Sequence, residues 1–280
     1  TPADCRRQRQ MCIRDRPGAA AGGLSSRSHF RGGENNETAI YLNGLKLVDP
    51  FHIRDYHSIF SSVDARAISG LEAYTGGFPA TYGNHMSGVL LLESSKPEQP
   101  LHTELGLSIY NTSLLNSGHS PGETVDWLVS ARSSNLDIVL NDDLGEPDYF
   151  DVFAELGIQM SETQRLSINA LYADDQVLVI TENDPDELEQ SVSDTRNSHF
   201  WISLESNWLS GLSARTTLSW SQLENQRVAE VNDPERMVAR ALDNRETKIF
   251  GFQQDWMFDT LSDHVLRWGL GARWESASFE

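Results

Sequence analysis

The sequence predicts a mostly β protein: a small α+β unit followed by antiparallel strands of a membrane-spanning β-barrel. Three observations carry this. Long stretches alternate apolar and polar residues with period two, so they are strands with one apolar face. The connections between them alternate short and long, as in a barrel with tight turns on one side of a bilayer and long loops on the other. No run of eighteen apolar residues exists from which to build a transmembrane helix.

Composition narrows the function. The chain has 280 residues and a net charge of −19. Nucleic acid is not expected as a partner, because phosphate binding needs a basic face. Disorder also produces high negative charge, but seven tryptophans and eleven phenylalanines speak for a folded chain. Residues 1–17 read TPADCRRQRQMCIRDRP, a basic stretch without period. They are read as a non-native leader, with a genuine basic leader as the alternative. Both cysteines, Cys5 and Cys12, lie there, so the rest offers neither a disulfide frame nor a zinc site. No cofactor or metal is expected.

The first unit is built from short elements. Residues 38–48 read TAIYLNGLKLV, and Asn43-Gly44 between apolar residues signals a type I′ hairpin. Asp49-Pro50 breaks the strand. Residues 58–71, SIFSSVDARAISGL, predict a short helix with Ser62 or Asp64 near its start. Strands over 71–75 and 88–94 enclose a glycine-rich loop. Its Gly76, Gly77 and Gly83, with Gly88 beyond, permit backbone conformations barred to other residues, and a side chain at Gly83 would strain the turn if its φ is positive. KPEQP at 96–100 is a linker.

The alternating part follows. Strands are expected near 102–110, 112–117, 124–134, 150–160, 165–180, 199–208, 212–227, 247–258 and 264–276, with 112–117 the weakest. Phe150, Val152, Leu156, Ile158, Leu266, Trp268 and Leu270 are assigned to lipid, and Asp151 and Glu155 to the lumen. Residues 135–149, 181–198 and 228–246 read as long, acidic loops. Trp208, Trp220, Phe258 and Trp274 at strand ends suit interfacial girdles. A soluble β-sandwich with aromatic core packing is the competing architecture.

Catalytic signatures are missing: there is no G-x-S-x-G, P-loop or H-E-x-x-H, so an enzyme is not expected. His52 and His57 read as surface or loop histidines. The runs NDDLGEPD (141–148) and ENDPDELE (182–189) lack calcium-loop spacing and read as solvated loops.

FRGGENNETAIYLNGLKLVDPFH and ISGLEAYTGGFPATYGNHMSGVLLLESSK, between Phe30 and Lys96, resemble the plug domain of TonB-dependent outer-membrane receptors. The resemblance implies that 18–100 is the C-terminal part of a plug domain and 101–280 the first strands of its barrel, about nine of 22. The signal sequence, the TonB-contact segment and the first part of the plug would then lie outside this chain. The implied function is capture of a scarce nutrient at the cell surface and import to the periplasm with TonB-transmitted energy. Implied partners are TonB, outer-membrane lipid and a nutrient such as an iron chelate, cobalamin, a glycan or a peptide. The alternative is a non-transporting, β-rich docking module at the cell surface, for instance for a surface lipoprotein. In this family setting GGFPATYG is the outward-facing plug tip, and Phe78, Tyr82, Asn84 and His85 are its ligand-binding candidates. Packing of the two rings against the barrel is the other reading. Plug arginines of the family pair with barrel carboxylates, which makes Arg31 a partner for Asp151 or Glu155. Asn43 stands where relatives often carry Asp, and serves the turn equally well.

Overall fold

The computed structural model describes residues 19–21, 28–30, 37–53, 60–83, 85–136, 146–182, 188–208, 211–233, 237–261 and 264–280. Two short strands, β1 (Ala19–Ala21) and β2 (Ser28–Phe30), pair with each other. Asn43 and Gly44 then take φ of 48° and 87°, the left-handed pair a two-residue hairpin needs. That turn joins β3 (Thr38–Leu42) to β4 (Leu45–Leu47) with Leu42 opposite Leu45. A two-stranded pair follows, β5 (Phe51–His52) with β6 (Phe60–Ser61). β7 (Ile68–Tyr74) and β8 (Gly88–Ser94) complete a four-stranded sheet in the order β4-β3-β8-β7, with β3 and β8 parallel.

The helix expected over 58–71 is not formed. Only Ala65–Ala67 make a single 3-10 turn, closed by the Asp64 side chain accepting from the Arg66 amide. Strand pairing wins from Ile68 onward, because Ile68 to Tyr74 find a full-length partner in β8. A β-branched residue and Gly70 also propagate a helix poorly.

The alternating half forms one nine-stranded antiparallel sheet. Its strands are β9 (Leu101–Leu107), β10 (Asn111–His119), β11 (Val125–Ser134), β12 (Glu146–Ser161) and β13 (Gln164–Glu182). β14 (Leu188–Asn207), β15 (Leu212–Asp233), β16 (Met237–Leu261) and β17 (His264–Phe279) follow. Each pairs with its sequence neighbour. The stretch 112–117, weak on its own pattern, is a full strand because β9 and β11 both pair with it. Of the regions expected to be long loops, the described residues of 181–198 and 228–246 are strand, and most of 135–149 lies outside the described residues. β15 and β16 stay in register up to Asp233 opposite Met237. Cross-strand contacts hold these polar extensions, including Arg240 with Glu230 at 3.0 Å and Asn225 to Thr195 at 2.9 Å.

One face of the wall is apolar and uncovered. Phe200, Trp220, Phe250 and Trp274 stand opposite one another across β14 to β17. Trp208, Trp256 and Trp268 stack nearer the short connections, with centroids 6.1 and 6.2 Å apart. Ile202, Leu204, Leu218, Phe252 and Leu270 occupy the zone between. From Phe250 to Phe258 the strand rises roughly 27 Å, comparable to an outer-membrane barrel's apolar band. Phe150, Leu156, Leu266, Trp268 and Leu270 are all exposed on this face. The other face receives the small sheet. Leu42, Leu45, Leu47, Val63 and Ile68 bury against Leu115, Leu128, Phe153, Leu171 and Trp201 of the wall.

Two exposed apolar residues test the band. Leu218 is 54% exposed inside it, and Val238 is 70% exposed on the polar extension. Leu218→Arg is expected to cost about 2–4 kcal/mol in folding into lipid vesicles, and Val238→Arg about 0–1 kcal/mol. Equal costs would place the bilayer elsewhere.

Candidate functional site

The hairpin turn is where the small sheet meets the wall. Asn43 Nδ2 lies 3.0 Å from a Glu155 carboxylate oxygen and 2.9 Å from Asn169 Oδ1. The Ser94 hydroxyl donates to the same Glu155 oxygen, and the Ser94 amide donates to Asn43 Oδ1 at 3.0 Å. An Asp at this position would satisfy the turn but not this contact, because a carboxylate has no hydrogen to give Glu155. Asn is therefore not equivalent to Asp here.

Further along, His52 is completely buried rather than a surface or loop histidine. Its Nδ1 lies 2.7 Å from Asp175 and its Nε2 2.9 Å from Asp151. Both ring nitrogens face carboxylate oxygens, an arrangement that favours the imidazolium, which can donate from both. Burial alone would lower its pKa, but hydrogen bonds and charge from Asp151 and Asp175 outweigh that and raise it above 6.5. Arg132 pairs with Asp151 at 2.8 Å and donates to the Ser61 carbonyl. Two cations thus balance two carboxylates. Tyr149 stacks on the imidazole at 4.4 Å, and the Ile53 amide donates to Asp175 at 3.2 Å. A third contact joins the Asp64 carboxylate to the Ser130 hydroxyl at 2.7 Å. Burial would raise the Asp64 pKa, but hydrogen bonds from Arg66, the charge of Arg132 and the Ser130 bond lower it.

Asp151 and Glu155 therefore both meet the small unit, through His52 and through Asn43 with Ser94. Arg31, their expected partner, lies outside the described residues, as do Asn84 and His57. The acidic runs at 141–148 and 182–189 also lie largely outside them. Sequence reasoning missed His52, Asp175 and Arg132. The available signal was a polar residue at an inward strand position, which Asp175 and Arg132 both occupy.

The glycine-rich loop lies elsewhere. Tyr82 packs edge-on to Tyr41 at 5.0 Å, and Phe78 joins the same cluster with Ala39 and Val89. His85 Nε2 is 3.4 Å from the Tyr41 hydroxyl. Tyr82 feels the charges of Arg215 and Asp255, and Tyr74 that of Arg267. All three charged residues lie near the short connections. Gly83 has φ of −69°, so a side chain there meets no left-handed strain. Gly77, at φ 66°, is the loop's left-handed residue.

Two outcomes are expected from these contacts. Asn43→Asp should keep the hairpin yet set a carboxylate against Glu155, lowering stability by about 1–3 kcal/mol in urea titration. His52→Ala should cost about 3–5 kcal/mol, because the Asp175 carboxylate loses its cation. A raised imidazolium pKa stabilises the fold fully below 6.5 and loses that contribution as pH rises through the raised value. The urea midpoint should therefore fall as pH rises above 6.5, and His52→Gln should flatten that slope. A slope unchanged in His52→Gln would assign the effect to other groups.

No family model matches the sequence, and no curated protein matches it. Solved structures do. The siderophore receptor PirA from Acinetobacter baumannii is 15% identical, with a TM-score of 0.66, over 100% of this chain and 47% of that one. An enterobactin-bound variant of the ferric enterobactin receptor PfeA from Pseudomonas aeruginosa is 15% identical, with a TM-score of 0.64, over 100% and 49%. The outer-membrane transporter YddB from Escherichia coli is 11% identical, with a TM-score of 0.64, over 95% and 45%. This chain spans about half the length of each and, over that half, has the fold of TonB-dependent outer-membrane receptors.

Proposed function

We propose that the chain is part of an outer-membrane receptor that captures a nutrient at the cell surface and passes it to the periplasm when TonB displaces the plug. In this reading 18–100 belongs to the plug and 101–280 forms the first wall strands. One observation carries it: the small unit sits on the inner face of the wall, and its contacts at Asn43, His52 and Asp64 are hydrogen-bonded and ionic. Such contacts re-form with water when broken, which suits a unit that has to move. The apolar outer band supports an outer-membrane location. An iron chelate is the favoured nutrient class, since the similar structures include receptors named for siderophores and ferric enterobactin.

The test is uptake of a labelled ferric chelate by cells carrying the full-length gene. Uptake should vanish in a TonB-deficient strain while surface binding persists. Asp64→Cys with Ser130→Cys, whose native side chains meet at 2.7 Å, should block uptake when oxidised and restore it when reduced. Uptake indifferent to TonB would sink the transport reading and leave a docking protein.

A further inference from the structure

A second polar site lies between the free edge of the small sheet and the wall. β4 ends the four-stranded sheet, so among the described residues one side of it has no strand partner. Facing it is a cavity of about 260 Å³ whose wall side comes from β15, β16 and β17. Ser219, Gly251 and Arg273 form one cross-strand row there. Gly251 keeps the row open: a Cβ at that position would collide with the Ser219 hydroxyl. Lys46 and Tyr41 line the opposite side.

The charges in this cavity are unusual for the chain. Acidic residues outnumber basic ones 41 to 22, and most arginines of the wall are paired with a carboxylate. Lys46 has neither an ion pair nor a side-chain hydrogen bond among the described residues, and the Ser219 hydroxyl likewise has no partner. Arg273 is bonded to Glu275, which leaves most of its five N–H donors unused. The same cross-strand row continues to Trp201, whose buried indole N–H has no acceptor. Donors and positive charge exceed acceptors and negative charge. Burial first and the Arg273 charge second lower the Lys46 pKa, and the Glu275 carboxylate, held by Arg273, offsets them only in part.

We propose that this cavity binds an oxyanion, a carboxylate or a phosphate, between the Lys46 ammonium and the Arg273 guanidinium. The Ser219 hydroxyl and the Tyr41 hydroxyl supply further donors. Arginine takes either oxyanion through two parallel N–H bonds, and lysine adds a point charge. The site stands on this geometry and does not depend on the transport reading.

Calorimetry on the full-length protein in micelles tests it, with citrate and inorganic phosphate as separate probes at constant ionic strength. One of them should bind saturably at a single site. Lys46→Gln should weaken that binding at least tenfold, and Arg240→Gln, on the polar extension, should leave it unchanged. The stronger probe identifies the oxyanion. Saturable binding of neither probe overturns the proposal, as does wild-type affinity in Lys46→Gln. A second measurement covers loss of folding in the variant. The reductively methylated, 13C-labelled Lys46 of the unsubstituted protein is titrated by NMR. Its midpoint should move upward when the anion is added, and an unmoved midpoint overturns the site. The uptake assay reads TonB-driven transport alone, so either result leaves the other standing.

Discussion

A carboxylate turned inward from a β wall has to find a cation or a hydrogen-bond donor, and here Asp151, Asp175 and Glu155 find theirs on the small unit. This requirement fixes how the two parts meet. Apolar contact between Leu42, Leu45 and Leu47 and the wall supplies attraction without direction. Direction comes from the polar contacts, since a sheet shifted by one residue would leave several buried carboxylates unpaired. Removing one partner of such a pair is far costlier than the pair is worth. The polar contacts therefore set position, while the leucines set strength.

The wall meets two surroundings through residues that alternate one by one. Glu155 bonds inward to the hairpin while Leu156 is exposed outward. Neither requirement can be relaxed without turning the whole strand over. Long antiparallel register keeps the rows aligned over β12 to β17, and this alignment gathers the aromatics into two groups. Single tryptophans at scattered heights would not mark an interface. Rows of them at two levels do.

The parts legible in the sequence are those that residues close in the chain decide. Phe150 to Met160 reads as a strand from its own alternation, and Asn43-Gly44 reads as a turn from its own backbone needs. The helix expected over 58–71 failed because Ile68 and its successors pair with β8, some twenty residues away. The polar stretches beyond the band looked like loops because a strand with two wet faces carries no hydrophobic period. Partners alone reveal it. His52 was read as a surface residue for the same reason, since its carboxylates lie 99 and 123 positions away. The glycine-rich loop was identified as a loop, but its place in the wall depends on long-range packing that no local motif encodes.

The length of β16 has a consequence outside the bilayer. It runs from Met237 to Leu261, and its outward aromatic residues begin only at Phe250. The preceding stretch extends roughly 40 Å along its own axis, bonded to the facing part of β15. This is a stiff, water-wetted palisade and not a floppy fringe. Its rungs are the backbone hydrogen bonds of the ladder, and only the ionic cross-links beside them, such as Arg240 with Glu230, weaken in brine. A solute approaching the surface meets that fence well before it meets the membrane.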